Sequence, residues 1–269
     1  MEALFLKYKL GKQPFKEDER DIHLKTLLNR EKLPTAPAST NDYSLIKIWL
    51  MLLNNIIGCC AVAGPYHLLM LWCKQAGKVL KITDENIKFV YSKISGYDPT
   101  DPTSDVGCVL RDVLKYWKNV GIPDANGVLH KIAAFARLNQ LDHEEIKLAQ
   151  YLFSGILIGF QVPKYAMDQF DKGMIWDVQL QNNEIIGGHC VAPTGYGKCK
   201  PTGNVVKIIK EGLFVVTWGK VQFMTWAFWD KSVDEAWVIF DKEMLKNDLS
   251  PDGFDSNKLV NYLNQLAEA

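Results

Sequence analysis

The sequence predicts an α+β chain in which a helical half precedes a β-rich half, with a cleft between them. Three observations carry this. Between Ser44 and Gln150 the apolar residues recur mostly at helical spacing. From about residue 151 the apolar runs become short or alternating, and Gly, Pro and Asn separate them. The change happens once and without an internal repeat, helices first and strands later, which is not the pattern of a doubly wound sheet. A length of 269 residues with 48% hydrophobic and 23% charged composition suits one unit of two lobes sharing a cleft.

The elements follow in order. Residues 1–43 read as an arm: Leu4–Tyr8 a short strand, Lys16–Arg20 a charged turn, Leu24–Leu28 a helical turn or an extended crossing. Pro34, Pro37 and Ser39 then mark an extended link. The arm is too rich in Leu and Phe for a solvated tail, so residues 1–40 are expected to pack across the body with Leu4, Leu6 and Leu10 partly buried. In the helical lobe, 44–150, an apolar segment around Leu68, Leu69, Leu71 and Trp72 ends near Gly77. Thr83-Asp84-Glu85-Asn86 starts a second helix. Gly96–Pro102 is a loop, and Val109, Val113, Leu114 and Trp117 mark a third helix that Gly121 and Pro123 end. Asp142–Tyr151 reads as a fourth. The β-rich lobe, 151–269, shows strand-like runs at Gly155–Gln161, His189–Pro193, Val205–Ile209, Leu213–Thr217 and Ala236–Phe240. Lys210-Glu211-Gly212 reads as a hairpin turn. Ser256–Ala267 reads as a closing amphipathic helix.

Formal net charge is zero, which gives no surplus to draw the chain onto nucleic acid or an anionic membrane; neither is expected as a partner. Met1–Leu10 carries Glu2, Lys7 and Lys9 and does not read as a signal peptide, and no apolar run approaches a membrane span. Six cysteines stand at 59, 60, 73, 108, 190 and 199, without a CxxC pair. They are expected to be reduced and mostly buried, in a cytoplasm or in a particle assembled there. No cofactor is implied, and the oligomeric state is open.

Three motifs carry chemistry. Gly58-Cys59-Cys60 stands just before the first helix, where the macrodipole and free backbone N–H groups favour a thiolate; alone, a buried structural cysteine is the commoner reading. Pro65 suggests that the regular helix begins slightly after Cys60. Gly187-Gly188-His189 delivers a histidine to the start of an apolar strand, where it can face a cleft as a general base or sit satisfied in a core. Val216-Thr217-Trp218-Gly219, with Trp226, Trp229 and Trp237 downstream, is an aromatic core by default, or else a peptide subsite or a nucleic-acid stacking platform, the last disfavoured by the neutral charge. A metal site from Cys59, Cys60, His189 and Cys190 is disfavoured, because adjacent ligands give poor tetrahedral geometry. The other histidines read as structural or surface groups: His67 on the central helix, His143 at a helix start, His23 and His130 in polar settings.

Taken together and in this order, the motifs resemble the papain-like cysteine peptidase superfamily over about residues 44–240. Leu10-Gly11-Lys12, Gly96-Tyr97-Asp98-Pro99, Val113–Trp117 and Met224–Asp230 also look like papain-like proteins of phages, prophages and bacteria. The resemblance implies Cys60 as nucleophile with Cys59 beside it, His189 as base, and Asn54 in place of the glutamine that completes the oxyanion hole. It aligns the histidine-orienting asparagine with Val216, which has no side-chain hydrogen bond to offer, so another group must orient the ring; Asp177 is a candidate. Gly58, Cys59, Gly188, Val216 and Trp218 are then expected to line the cleft. The implied activity is amide hydrolysis in a peptide or a peptidoglycan cross-link. The alternative is a catalytically idle, virion-associated binding module that holds a peptide or protein segment in the cleft.

Overall fold

The computed structural model describes residues 7–29, 31–200, 208–241 and 257. Leu4, Leu6, most of the Val205–Ile209 run and the C-terminal helix expected at Ser256–Ala267 lie outside the described residues.

The helical half is built on α1 (Cys60–Gln75), whose Leu68, Leu69 and Leu71 are buried. It begins at Cys60 itself and not later: Pro65 lies inside it, where its missing N–H forgoes one hydrogen bond without ending the helix. Helix α2 (Asp84–Ser95) starts on a reciprocal capping box between Thr83 and Asn86 and stops at Gly96, left-handed at φ 77°. Helix α3 (Leu110–Asn119) turns Leu110, Val113, Leu114 and Trp117 inward. A two-residue hairpin of β1 (Ile122–Pro123) and β2 (Leu129–His130) follows.

Ile132–Arg137 corrects the sequence reading. It lies within the segment read as helical, yet it forms strand β3 of the main sheet, with alternating burial. After α4 (His143–Phe153) come β4 (Ile156–Pro163), α5 (Lys164–Asp171), β5 (Ile185–Cys199), β6 (Lys210–Thr217), β7 (Lys220–Thr225), α6 (Trp226–Ser232) and β8 (Val233–Asp241). The six strands pair antiparallel in the order β3-β8-β4-β5-β6-β7. Lys210-Glu211-Gly212 is not a turn but the first part of β6. Gly212 is there because a Cβ would lie 2.0 Å from the Met224 carbonyl oxygen across the ladder. The turn comes instead at Trp218-Gly219, both at positive φ (43° and 72°), as a two-residue hairpin between β6 and β7.

One core fills the sheet side around Phe160, Trp176, Phe228 and Trp229. A second lies under α1, α2 and α3. The tryptophans at 218, 229 and 237 are buried, as the core reading expects, and Trp226 is half-buried. Helix α1 lies against β4 and β5 so closely that a Cβ on Gly64 would meet Leu157 at 2.9 Å and the Cys190 sulfur at 3.2 Å. This contact sets the head of α1 beside the middle of β5. Among the described residues no helix is long and apolar enough to cross a membrane.

The described part of the arm packs on this body. Leu24 and Leu27 are buried and Leu10 is half-buried, and Leu24–Thr26 is a single 3-10 turn.

Candidate active site

Cys60 is the first residue of α1, where backbone N–H groups lack intrahelical acceptors. Its sulfur receives backbone N–H groups of Cys190, Gly11 and Ala61, and the Lys12 charge is near. These favour the thiolate, as the helix-start argument expects. Burial outweighs them, because the thiol is fully enclosed, and pushes it up to about 11. Cys59 is also enclosed, with its sulfur 3.3 Å from the Leu52 carbonyl oxygen and its thiol raised further by burial.

His189 lies in the middle of β5, paired with Phe160 of β4, and is fully buried. Its ring stacks on Trp218 at 4.3 Å and meets Phe160 edge-on at 5.7 Å. Nε2 lies 2.7 Å from Thr217 Oγ1. Nδ1 is buried without a hydrogen-bond partner, so Cys60 and His189 are not hydrogen-bonded in this arrangement. Burial, with repulsion from His67, holds the imidazole down to about 3 and therefore neutral.

Thr217 is the group that sequence reasoning missed. Val216, aligned with the asparagine, is buried against Trp49 and Leu71 in a small separate cluster. Successive strand residues point to opposite faces, so the neighbour at 217 is the one that meets the imidazole. Asp177, the other candidate, is elsewhere: it accepts from Thr225 Oγ1 at 2.8 Å and pairs with Lys210.

Asn54 is buried at 2% exposure, and its amide is engaged. Nδ2 donates to the Lys9 carbonyl oxygen at 3.2 Å and to the Ile57 carbonyl oxygen at 3.4 Å. The Trp218 indole donates to the same Lys9 oxygen at 3.3 Å. One carbonyl of the arm thus accepts from both side chains.

The arm makes further bonds to the body. Lys9 N–H donates to Asn54 O (2.9 Å), Lys12 N–H to Gly188 O (3.0 Å) and Gln13 N–H to Cys108 O (2.8 Å), while Cys108 N–H donates to Gly11 O (2.8 Å). Main chain runs against main chain, and glycines permit it. A Cβ on Gly11 would lie 1.7 Å from Gly58 O, one on Gly107 2.1 Å from Gly11 O, and one on Gly188 2.3 Å from Lys12 O. Gly58 and Gly188, expected to line the cleft, make room for the arm. Asp105 holds one wall in place by accepting Gly58 N–H at 2.9 Å and the Tyr91 hydroxyl at 2.6 Å, and that hydroxyl accepts Gly107 N–H at 2.8 Å. Lys12 pins the crossing. Its buried Nζ lies 2.6 Å from Asp234 and 3.1 Å from Glu235, whose carboxyl burial pushes upward. Beside the arm an open remnant of the cleft, about 330 Å³, is lined by Gln13, Val106, Gln161 and Gly187 among others.

Among the described residues no group of three or more His, Cys, Asp or Glu side chains is placed to hold a metal ion. His67 is a core histidine on α1, bonded to Leu50 O at 2.8 Å, and His143 pairs with Asp230 at 2.6 Å.

The chain matches no protein-family model and no curated protein. Its fold does match solved structures. Xylellain, a cysteine protease from Xylella fastidiosa, superposes with a TM-score of 0.64 at 16% identity, over 87% of this chain and 97% of that one. The structure of the cysteine protease and lectin-like domains of Cwp84, a surface-layer-associated protein of Clostridium difficile, gives 0.61 at 12% identity. That match covers 87% of this chain and 56% of the other, so this chain spans little more than half its length. Digestive procathepsin L2 from the larval midgut of Tenebrio molitor gives 0.56 at 14% identity, over 89% and 80%. The fold is therefore that of papain-like cysteine proteases.

Proposed function

We propose that this protein is a cysteine hydrolase of amide bonds whose cleft is occupied, in the form described, by residues 9–12 of its own arm. The observation that carries the reading is His189: one ring nitrogen held by Thr217 at 2.7 Å, the other buried and unpartnered. A buried nitrogen without a partner is costly. With Nε2 donating to Thr217 Oγ1, the lone pair rests on Nδ1, the nitrogen a general base needs free.

With the arm withdrawn, Nδ1 takes the Cys60 thiol proton and the thiolate attacks the substrate carbonyl carbon. The oxyanion is received by the Cys60 N–H at the head of α1 and by Asn54 Nδ2, released from Lys9. Protonated His189 passes its proton to the leaving amine. A water, deprotonated by the same nitrogen, then hydrolyses the thioester. Thr217 keeps the ring in one tautomer and faces the imidazolium with a hydroxyl oxygen, a neutral version of the task usually given to a carboxylate or amide. The substrate is a peptide segment or the peptide portion of a peptidoglycan cross-link.

Complete burial of Cys60 and His189 beneath the arm favours a second reading, a binding module whose cleft is permanently filled. Gly11→Val separates the two, because a side chain there collides with the Gly58 backbone and displaces the arm. This variant is expected to hydrolyse members of a fluorogenic peptide panel or a peptidoglycan digest, and Cys60→Ala in the same background to hydrolyse none. An opened protein that turns over nothing on both panels returns the chain to the binding reading.

A further inference from the structure

Away from the cleft, the arm, α3 and β8 enclose a cavity of about 240 Å³. Four cations and two carboxylates line it: Arg20, Asp18 and Asp21 from the arm, Arg111, Lys115 and Lys118 from α3. The two aspartates are already engaged. Asp18 pairs with Arg20 at 2.7 Å, and Asp21 with Arg111, whose Nε lies 2.9 Å from it. Among the described residues Lys115 and Lys118 have no ion pair and no hydrogen bond. After internal pairing, the cavity keeps two positive charges.

A second observation lies behind its wall. Trp237 lines the cavity, and two guanidiniums approach its ring, Arg111 at 5.5 Å and Arg137 at 5.1 Å. Arg137 also lies 4.2 Å over the Phe15 ring. It is 8% exposed, and its Nε is buried with no hydrogen-bond partner. Burial is the chief cost to Arg137; the charges of Asp21 and Glu235 offset part of it, and Arg111 repels it, while Asp21 is hydrogen-bonded to Arg111. Aromatic faces offset part of the cost of burying a second guanidinium, but an anion nearby offsets more.

We propose that this cavity binds a small multivalent oxyanion, a free phosphate or pyrophosphate, between Lys115, Lys118 and the Arg111 guanidinium, with Arg137 behind the wall. Ammonium and guanidinium groups lining a half-open, aromatic-backed space are the donor set for phosphate oxygens. The volume admits an anion of this size. The site is independent of the hydrolase reading, since binding needs neither Cys60 nor His189.

Isothermal titration of the full chain with sodium pyrophosphate and with sodium phosphate, each against sodium chloride at equal ionic strength, tests it. One saturable event is expected, in the millimolar range or tighter, and Lys115→Gln with Lys118→Gln weakens it by at least about tenfold. Both side chains are on the surface of α3 and unpaired, so the double variant folds. No saturable event beyond chloride, or unchanged binding by the double variant, overturns the site.

Discussion

Two stretches of the arm lie on the same body and are held by different forces. Lys9–Pro14, which follows the Tyr8 ring buried against Phe170 and Trp218, crosses the cleft mainly by main-chain hydrogen bonds to Asn54, Cys108 and Gly188, with one buried lysine among carboxylates. Phe15–Leu28 is held by side chains: Leu24 and Leu27 are fully enclosed, Asp21 is paired with Arg111, and Phe15 lies under two guanidiniums. Water can replace main-chain bonds at a net cost of only about 0.5–1.5 kcal/mol each. Released Lys12, Asp234 and Glu235 regain hydration that offsets their lost attraction. Exposing a leucine has no such compensation, at about 1.5–3 kcal/mol each. The cleft crossing can therefore open as a local event while the anchor stays docked.

The largest expected effect is a direct contrast between the stretches. Gly11→Val sets a side chain against Gly58 and opens the crossing, so the rate of Cys60 alkylation by iodoacetamide should rise by roughly a hundredfold or more, because the thiol leaves full burial. The melting temperature should move by only a few degrees. Leu24→Ala should do the reverse, lowering stability by about 2–5 kcal/mol without selective exposure of Cys60. If Gly11→Val unfolds the protein as Leu24→Ala does, the crossing is part of the structural core and the contrast collapses.

A smaller effect belongs to the wall beneath the crossing. In the opened Gly11→Val background, Thr217→Val should lower peptide turnover by about ten- to a hundredfold, with little change in KM, because the imidazole loses its orienting partner. Thr217→Ser, which keeps the hydroxyl, should restore most of it. In the closed protein the same Thr217→Val should leave Cys60 alkylation as slow as before. Turnover unaffected by Thr217→Val would remove the hydroxyl from the mechanism.

The sequence makes the two walls legible and leaves the plug unseen, for physical reasons. Gly58-Cys59-Cys60, Gly188-His189 and Thr217-Trp218-Gly219 carry their chemistry in side chains, and their order gives the fold. The crossing is written mostly in backbone groups and absent Cβ atoms, and four glycines in distant segments show no pattern until they meet. Thr217 was within reach. Strand alternation lets only one of Val216 and Thr217 face the histidine, and only the threonine can bond to it. β3 was hidden because Ile132–Arg137 is short and followed by a strong helix, so its pairing with β8 has no local signal. Gly212 read as a turn because a close strand approach and a turn both select glycine.

The smallest effect uses two buried histidines to divide the molecule along the same line. His189, under the crossing, is held at about 3, and His67, beyond its reach on α1, at about 4. Both are depressed chiefly by burial, so folded histidine stays neutral where unfolded histidine, near 6.5, binds a proton. Stability from these groups is therefore complete above about pH 6.5 and is lost as pH falls towards the folded values. Between pH 6.5 and 5 each histidine contributes a slope of up to about 1.4 kcal/mol per pH unit, before most carboxylates titrate. Opening the crossing lets water reach His189 and raises its folded pKa towards 6.5, but leaves His67 enclosed with its bond to Leu50. Gly11→Val should therefore reduce the acid-side slope of the stability curve, measured by calorimetry over this window, by about half. His67→Gln should remove a similar share in either background. A slope that Gly11→Val leaves unchanged would mean that His189 stays dry when the arm leaves. Its burial would then come from Trp218, Phe160 and the sheet, and not from the crossing.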